Sequence, residues 1–196
     1  MTRIFDILFS LLGILLLSPI LLLIYILIII ETRGGGFYKQ SRVGLDGKDF
    51  TLYKFRSMLV GSDKKSLITI GGNDSRITKA GLFIRKYKID ELPQLFNVFA
   101  GDMSLVGPRP EVRKYINLYS KEQLEVLNVR PGITDYASIE FANENEILGS
   151  VLDPEKVYIE EIIPAKIQLN MKYIRSKGVK EYFKIIFLTL GKIVNK

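Results

Sequence analysis

Residues 4–30, IFDILFSLLGILLLSPILLLIYILIII, decide the fold. The run is interrupted only by Asp6, Ser10, Gly13, Ser18, Pro19 and Tyr25. A helix made from it is apolar nearly all round and belongs in lipid. At about 1.5 Å per residue it reaches roughly 40 Å, more than the roughly 30 Å hydrocarbon core of a bilayer. The run is too long for the apolar part of a cleaved signal peptide, and no small-residue cleavage site precedes Glu31, so the segment is expected to persist. Pro19 removes a backbone donor and clashes with the preceding turn, at a cost of about 3 kcal/mol to a straight helix. A break is expected at Ser18-Pro19. Two geometries follow, a kinked helix that crosses the bilayer or one that bends at Ser18-Pro19 and returns to the same face. The Lys/Arg-rich stretch after Glu31 belongs in the cytoplasm, and Arg3 weakly keeps the N-terminus there too. The residues alone favour the crossing form, since many true spans contain proline.

The remaining chain is short and basic. A length of 196 residues accommodates about one domain, divided here into a membrane helix over 1–33 and a polar body over 34–196. Lys and Arg outnumber Asp and Glu by 28 to 21, and residues 1–30 contribute only Arg3 and Asp6, so the net +7 lies downstream. Such a field attracts nucleic acid, anionic lipid or phosphate-bearing substrates, and the preceding membrane segment argues against nucleic acid. With no cysteine there is no disulfide framework or thiolate nucleophile, and with no histidine the usual general base and zinc ligand are absent. Carboxylates and hard, oxygen-ligated cations such as Mg²⁺ become the leading chemistry.

Gly34-Gly35-Gly36 releases the chain from the membrane segment. Phe37–Gln40 and Phe50–Phe55 read as strands of a small hairpin around Leu45-Asp46-Gly47-Lys48. The second strand places Lys54 and Arg56 two residues apart, on one face, where they can clamp a diphosphate or form an ordinary solvated sheet face. Residues 61–76, rich in Gly, Ser, Asp and Lys, read as a loop able to serve as a lid. From Ile77 to Phe99 apolar residues recur at helical spacing. Within this stretch Asp90 precedes Pro93 where a helix N-cap belongs, and capping is the plain explanation for it. A carboxylate so held is also placed to ligate Mg²⁺ or attack phosphorus. Glu91 would point about 100° away around a helix, which suits a distinct role.

Pro108-Arg109-Pro110 and Arg130-Pro131-Gly132 each display an arginine from a stiff loop, suited either to phosphate oxygens or to capping a nearby helix C-terminus. The ordered set Ser18-Pro19, Lys54-Phe55-Arg56, Asp90-Glu91-Leu92-Pro93-Gln94, Pro108-Arg109-Pro110 and Arg130-Pro131-Gly132 resembles the bacterial sugar transferase family, the small monotopic phosphoglycosyl transferases. The likeness runs from the entry helix to about residue 140. It implies an α+β, mostly helical fold: a re-entrant membrane helix broken at Ser18-Pro19, a small β-hairpin and amphipathic interfacial helices. Both helix ends would then be cytoplasmic and the body would sit on the cytoplasmic face of the bacterial inner membrane.

The resemblance further implies that Asp90 attacks the sugar-linked phosphate of a UDP-sugar, expels UMP and carries the phosphosugar until polyprenyl (undecaprenyl) phosphate accepts it, assisted by Glu91. Mg²⁺ at Asp90, with Lys54, Arg56, Arg85, Gln94, Arg109 and Arg130, would hold the substrates; Arg85 lies five residues before Asp90, as in the family pattern. A departure follows Thr134, where the family commonly continues Gly-Leu-Ala-Gln and this chain has Asp135-Tyr136-Ala137-Ser138, which puts sugar and base contacts in doubt. Lys166–Lys192 reads either as a basic amphipathic helix on an anionic surface or as core. A non-catalytic membrane adaptor would explain the charge and the anchor but gives no reason for the Asp-Glu pair.

Overall fold

The structure, a computed structural model, describes residues 2–32, 34–62 and 74–194. Most of the loop expected over 61–76 lies outside the described residues. Helix α1 spans Thr2–Thr32 and runs continuously through Pro19. The break expected at Ser18-Pro19 therefore does not end the helix. Proline cannot donate to the carbonyl of Leu15 four residues back. The Ser18 hydroxyl donates to that carbonyl instead, at 2.8 Å, so the acceptor orphaned by the proline stays satisfied.

One stripe of α1 lies on the body along nearly its whole length. Near its start Arg3 donates to the carbonyls of Val98 and Phe99, at 2.5 and 2.8 Å. Asp6 is buried and accepts from the Ser104 hydroxyl, the Leu105 amide and the Tyr182 hydroxyl at 2.9, 2.9 and 2.8 Å. At Gly13 a Cβ would stand 3.2 Å from Leu95. Further along, Leu21, Ile24 and Ile28 pack with Phe55 and Ile84. At the far end Glu31 accepts from the amides of Lys79 and Ala80, at 2.8 and 3.0 Å. These positions lie three or four, or seven or eight, residues apart, which sets them on one face. The opposite face, with Ile4, Leu8, Leu15, Leu16, Leu22, Leu23 and Ile30, is exposed and apolar. Among the described residues α1 is the one helix long and apolar enough to cross a membrane.

The expected hairpin forms from β1 (Phe37–Val43) and β2 (Asp49–Phe55), antiparallel and in register from Phe37 opposite Phe55 to Val43 opposite Asp49. Its turn needs left-handed backbone at Asp46 and Gly47, with φ of 56° and 73°. The stretch read as helical divides into α2 (Lys79–Lys86), a 3₁₀ turn over Ile89–Glu91, and α3 (Gln94–Ala100). Lys88 sits left-handed at φ 57° at the junction. Next, β3 (Ser104–Val106) pairs in parallel with β4 (Gly132–Thr134), and α4 (Arg113–Ile116) lies between them in sequence.

The C-terminal part contains α5 (Tyr136–Glu140), α6 (Glu144–Gly149) and α7 (Pro154–Val157), then α8 (Ile163–Arg175) and α9 (Val179–Val194). Its main core joins Val112, Tyr115, Val126, Leu148, Tyr158, Ile162, Ile163 and Ile167. The core reading of Lys166–Lys192 holds for part of the stretch. Helix α8 buries Ile167 and Tyr173, whereas α9 buries Tyr182 and Ile185 but exposes Phe187, Leu188, Leu190 and Ile193. The fold is α+β and mostly helical, as expected.

Asp6→Ala would leave buried donors of Ser104, Leu105 and Tyr182 unpaired, which should cost about 3 kcal/mol. In detergent we expect a melting temperature lower by on the order of 10 °C. Leu16→Ala, on the exposed face, should change stability by no more than about 0.5 kcal/mol. Equal shifts in both variants would show that Asp6 is not the anchor.

Candidate active site

Three segments converge around Glu91: the end of β2 carrying Lys54, the 3₁₀ turn carrying Asp90 and Glu91, and the loop after β3 carrying Arg109. Lys54 Nζ donates to Glu91 Oε1 at 3.1 Å. Arg109 forks onto the same carboxylate, with Nη1 donating to Oε2 at 3.0 Å and Nη2 donating to Oε1. The Lys54 and Glu91 side chains are 19% and 14% exposed, so water screens this cluster weakly. Burial alone would raise the Glu91 carboxyl, but the Arg109 guanidinium and the Lys54 ammonium outweigh it and hold the group well below the usual carboxylate range. Burial lowers the Lys54 ammonium, with Glu91 opposing. Glu91 in turn raises Arg109.

Asp90 has the opposite environment. It is 6% exposed, and its Oδ1 has no hydrogen-bond partner. Burial, and then the adjacent Glu91 charge, push its carboxyl upward, against the pull of Lys54, Arg85 and Lys88. The capping explanation for Asp90 is overturned. Pro93 occupies the N-cap of α3, which receives no side-chain hydrogen bond, and Asp90 lies inside the preceding 3₁₀ turn. The left-handed Lys88 places it there by stopping α2 short of the pair. Ile89 and Leu92, flanking the pair, pack against the cluster formed by Leu21, Ile24, Ile28, Phe55 and Ile84.

The other sequence-derived candidates are distributed unevenly. Arg85, in the last turn of α2, contributes to the field at Asp90. Gln94 is 1% exposed at the start of α3, and its Nε2 lacks a partner. Arg56 does not join Lys54 in a clamp. It donates to the carbonyls of Gly35 and Phe37, at 2.8 and 3.3 Å, and holds the entry to the hairpin. Arg130 donates to the Gly101 carbonyl at 2.9 Å, at the C-terminal end of α3, the capping alternative for that loop.

Two supports of the site escaped sequence reading. Asn97, fully buried, accepts from the Tyr53 amide at 3.0 Å and donates to the Thr51 carbonyl at 2.7 Å, so α3 completes the open edge of β2 beside Lys54. A polar residue inside the apolar period of α3 was the available signal. Gly107 and Gly132 pass so closely that a Cβ on Gly132 would stand 2.1 Å from the Gly107 nitrogen. That approach lets the Gly107 amide bond Thr134 and the Gly132 amide bond Pro108, fixing the Arg109 loop.

Among the described residues no cluster of three or more acidic side chains could hold a metal. Magnesium requires less, since it keeps several waters and is bound by one or two carboxylates plus substrate phosphates. The partnerless Asp90 oxygen is a fitting hard donor.

Fold and site together define a domain with one long apolar helix and two adjacent carboxylates, one held by Lys54 and Arg109 and the other with a buried oxygen that has no hydrogen-bond partner. The chain belongs to the bacterial sugar transferase family, whose pattern it matches over residues 1–196. It is 39% identical over 199 residues to a UDP-glucose:undecaprenyl-phosphate glucose-1-phosphate transferase of Klebsiella pneumoniae, a match covering 99% of this chain and 40% of that one. It is 36% identical over 192 residues to a UDP-N-acetylgalactosamine-undecaprenyl-phosphate N-acetylgalactosaminephosphotransferase of Aeromonas hydrophila, covering 96% of this chain and 42% of the other. An uncharacterized sugar transferase of Bacillus subtilis, EpsL, is 37% identical over 192 residues, covering 98% and 86%. The chain thus spans about two-fifths of the length of the first two relatives.

In a sample carrying ¹³C-labelled aspartate, Asp90 should titrate above the ordinary value of 3.8. Glu91→Gln removes a neighbouring negative charge and releases Lys54 and Arg109, so it should move that titration to lower pH. An Asp90 that titrates at or below the ordinary value in the unsubstituted protein would contradict this electrostatic picture.

Proposed function

We propose that this chain transfers a sugar phosphate from a UDP-sugar to polyprenyl phosphate, with release of UMP. The observation that carries the reading is the pairing of a buried Asp90 carboxylate, one of whose oxygens has no hydrogen-bond partner, with a Glu91 already bound by Lys54 and Arg109. An acceptor with no hydrogen bond and a raised pKa is a reactive nucleophile once ionised. In the first step an Asp90 oxygen attacks the sugar-linked phosphorus. The bond to the bridging oxygen breaks, its electrons leave with UMP, and an acyl phosphate remains on Asp90. In the second step a phosphate oxygen of the polyprenyl carrier attacks the same phosphorus, and the Asp90 carboxylate departs.

Lys54 and Arg109 are oriented by Glu91 before substrate arrives, and their donors can pass to phosphate oxygens without a large movement. This gives Glu91 an organising part. Held far below the ordinary range, it is a weak base but a stable counter-ion. Arg85 and Lys88 add positive field at Asp90. Mg²⁺ bound at Asp90 together with substrate phosphates would neutralise the developing charge. UDP-glucose and UDP-N-acetylgalactosamine, in the names of two relatives, are the first donors to test.

The membrane geometry belongs to the same proposal. Both ends of α1 are fastened to one body, through Arg3 and Asp6 at one end and Glu31 at the other. The unbroken helix already holds its ends roughly 45 Å apart at about 1.5 Å per residue, so one that crossed the bilayer would draw the polar body fastened along it into the hydrocarbon core. We therefore read α1 as re-entrant in the sense that both of its ends lie on one face of the membrane, with residues 34–196 on the cytoplasmic face of the inner membrane. The body of the protein draws the substrate phosphates beside the lipid carrier.

Detergent-solubilised protein given Mg²⁺, polyprenyl phosphate and UDP-sugars should release UMP with at least one donor, and Asp90→Asn should abolish that release. Undiminished activity in Asp90→Asn would remove Asp90 as the nucleophile. Folded protein silent with every donor would favour the adaptor reading. The absence of cysteine allows a clean topology test. Single cysteines replacing Thr2 and Gly35 should both be shielded from an impermeant maleimide in intact spheroplasts and both react once the membrane is opened. Labelling of either from outside would refute the re-entrant helix.

A further inference from the structure

Asp135 is fully buried. One of its carboxylate oxygens accepts from the Ser138 amide at 2.6 Å, capping α5. The other accepts from the Arg109 amide at 3.2 Å. This second bond has unusual leverage. Proline has no amide hydrogen, so in Pro108-Arg109-Pro110 the Arg109 N–H is the sole backbone donor. The β3–β4 bonds hold the loop on one side, through Gly107 to Thr134 and Gly132 to Pro108. At Arg109 itself the backbone is tied by Asp135, and from that residue the guanidinium reaches Glu91.

We propose that Asp135 is a positioning residue: by accepting the Arg109 amide it sets where the guanidinium fork meets Glu91. The inference rests on the phosphosugar-transfer reading, in which Arg109 serves the substrates. Asp135 touches no reacting atom, and it acts through Arg109.

The test is Asp135→Asn, whose amide has nearly the same shape but only one accepting oxygen for two donors. Hydrogen exchange of a peptide containing Pro108-Arg109-Pro110 reads the Arg109 amide with no neighbouring proline signal. It should become faster in Asp135→Asn, while peptides from α8 and α9 keep their protection. UMP release should fall roughly ten- to a hundredfold, as displacement of a substrate-orienting group by about 1 Å would produce. In an Arg109→Lys background, which keeps the charge but loses the fork, Asp135→Asn should cost no more than about twofold. Unchanged exchange at Arg109, or the same fold-loss in both backgrounds, would overturn the proposal. Silence of the unsubstituted enzyme in the UMP assay would instead strike the transfer reading, and the exchange result would still decide whether Asp135 holds Arg109.

Discussion

The structure depends on one buried carboxyl group near the start of the long apolar helix. A carboxylate in an apolar setting is tolerated only where hydrogen-bond donors replace its water. Asp6 obtains three, from Ser104, Leu105 and Tyr182. Those donors come from β3 and α9, so satisfying one side chain ties the membrane helix to the strand that leads into the Arg109 loop and to the C-terminal helix. Glu31 makes the matching attachment by capping α2, which ends just before Asp90. The apolar helix is therefore part of the scaffold of the site, with one face exposed and apolar and the other packed on the elements that bear the catalytic candidates.

On that scaffold two neighbouring carboxylates acquire opposite character. Their sequence separation is minimal, and what distinguishes them is which long-range partners reach each one. Lys54 from the hairpin and Arg109 from the loop both converge on Glu91, while one Asp90 oxygen is buried without a donor. Saturating Glu91 limits its repulsion of Asp90 and preserves an anion that keeps two cations in place. Environments that push adjacent acids in opposite directions separate their chemical roles.

The apolar run, the hairpin, the Asp90-Glu91 pair and the arginine loops were legible because each depends on local spacing or on the chemistry of neighbouring residues. What was not legible depends on contacts between distant segments. Asp6 read only as an interruption of the apolar run, because its partners lie about a hundred residues or more away. The plain capping explanation for Asp90 put Pro93 in the first turn of a helix starting just after Asp90, whereas residues 89–91 form a 3₁₀ turn of their own behind the left-handed Lys88 and α3 begins only at Gln94. Lys54 and Arg56 share a strand periodicity, but the strand ends at Phe55 and Arg56 turns back to Gly35 and Phe37. Arg109 and Arg130 look equivalent beside their prolines. Only the three-dimensional path sends one to Glu91 and the other to the end of α3.

The departure after Thr134 can be read in the same physical terms. Asp135 turns its carboxylate toward the Arg109 backbone. Tyr136 turns toward α9, where its hydroxyl meets Glu181 and its ring lies near the ammonium groups of Lys172 and Lys184. Ala137 is buried, and the Ser138 amide completes the Asp135 cap. The altered residues thus join the site loop to the C-terminal helices. Because α9 is also held by Tyr182 to Asp6, a change at this short segment is coupled mechanically to both the Arg109 loop and the membrane helix.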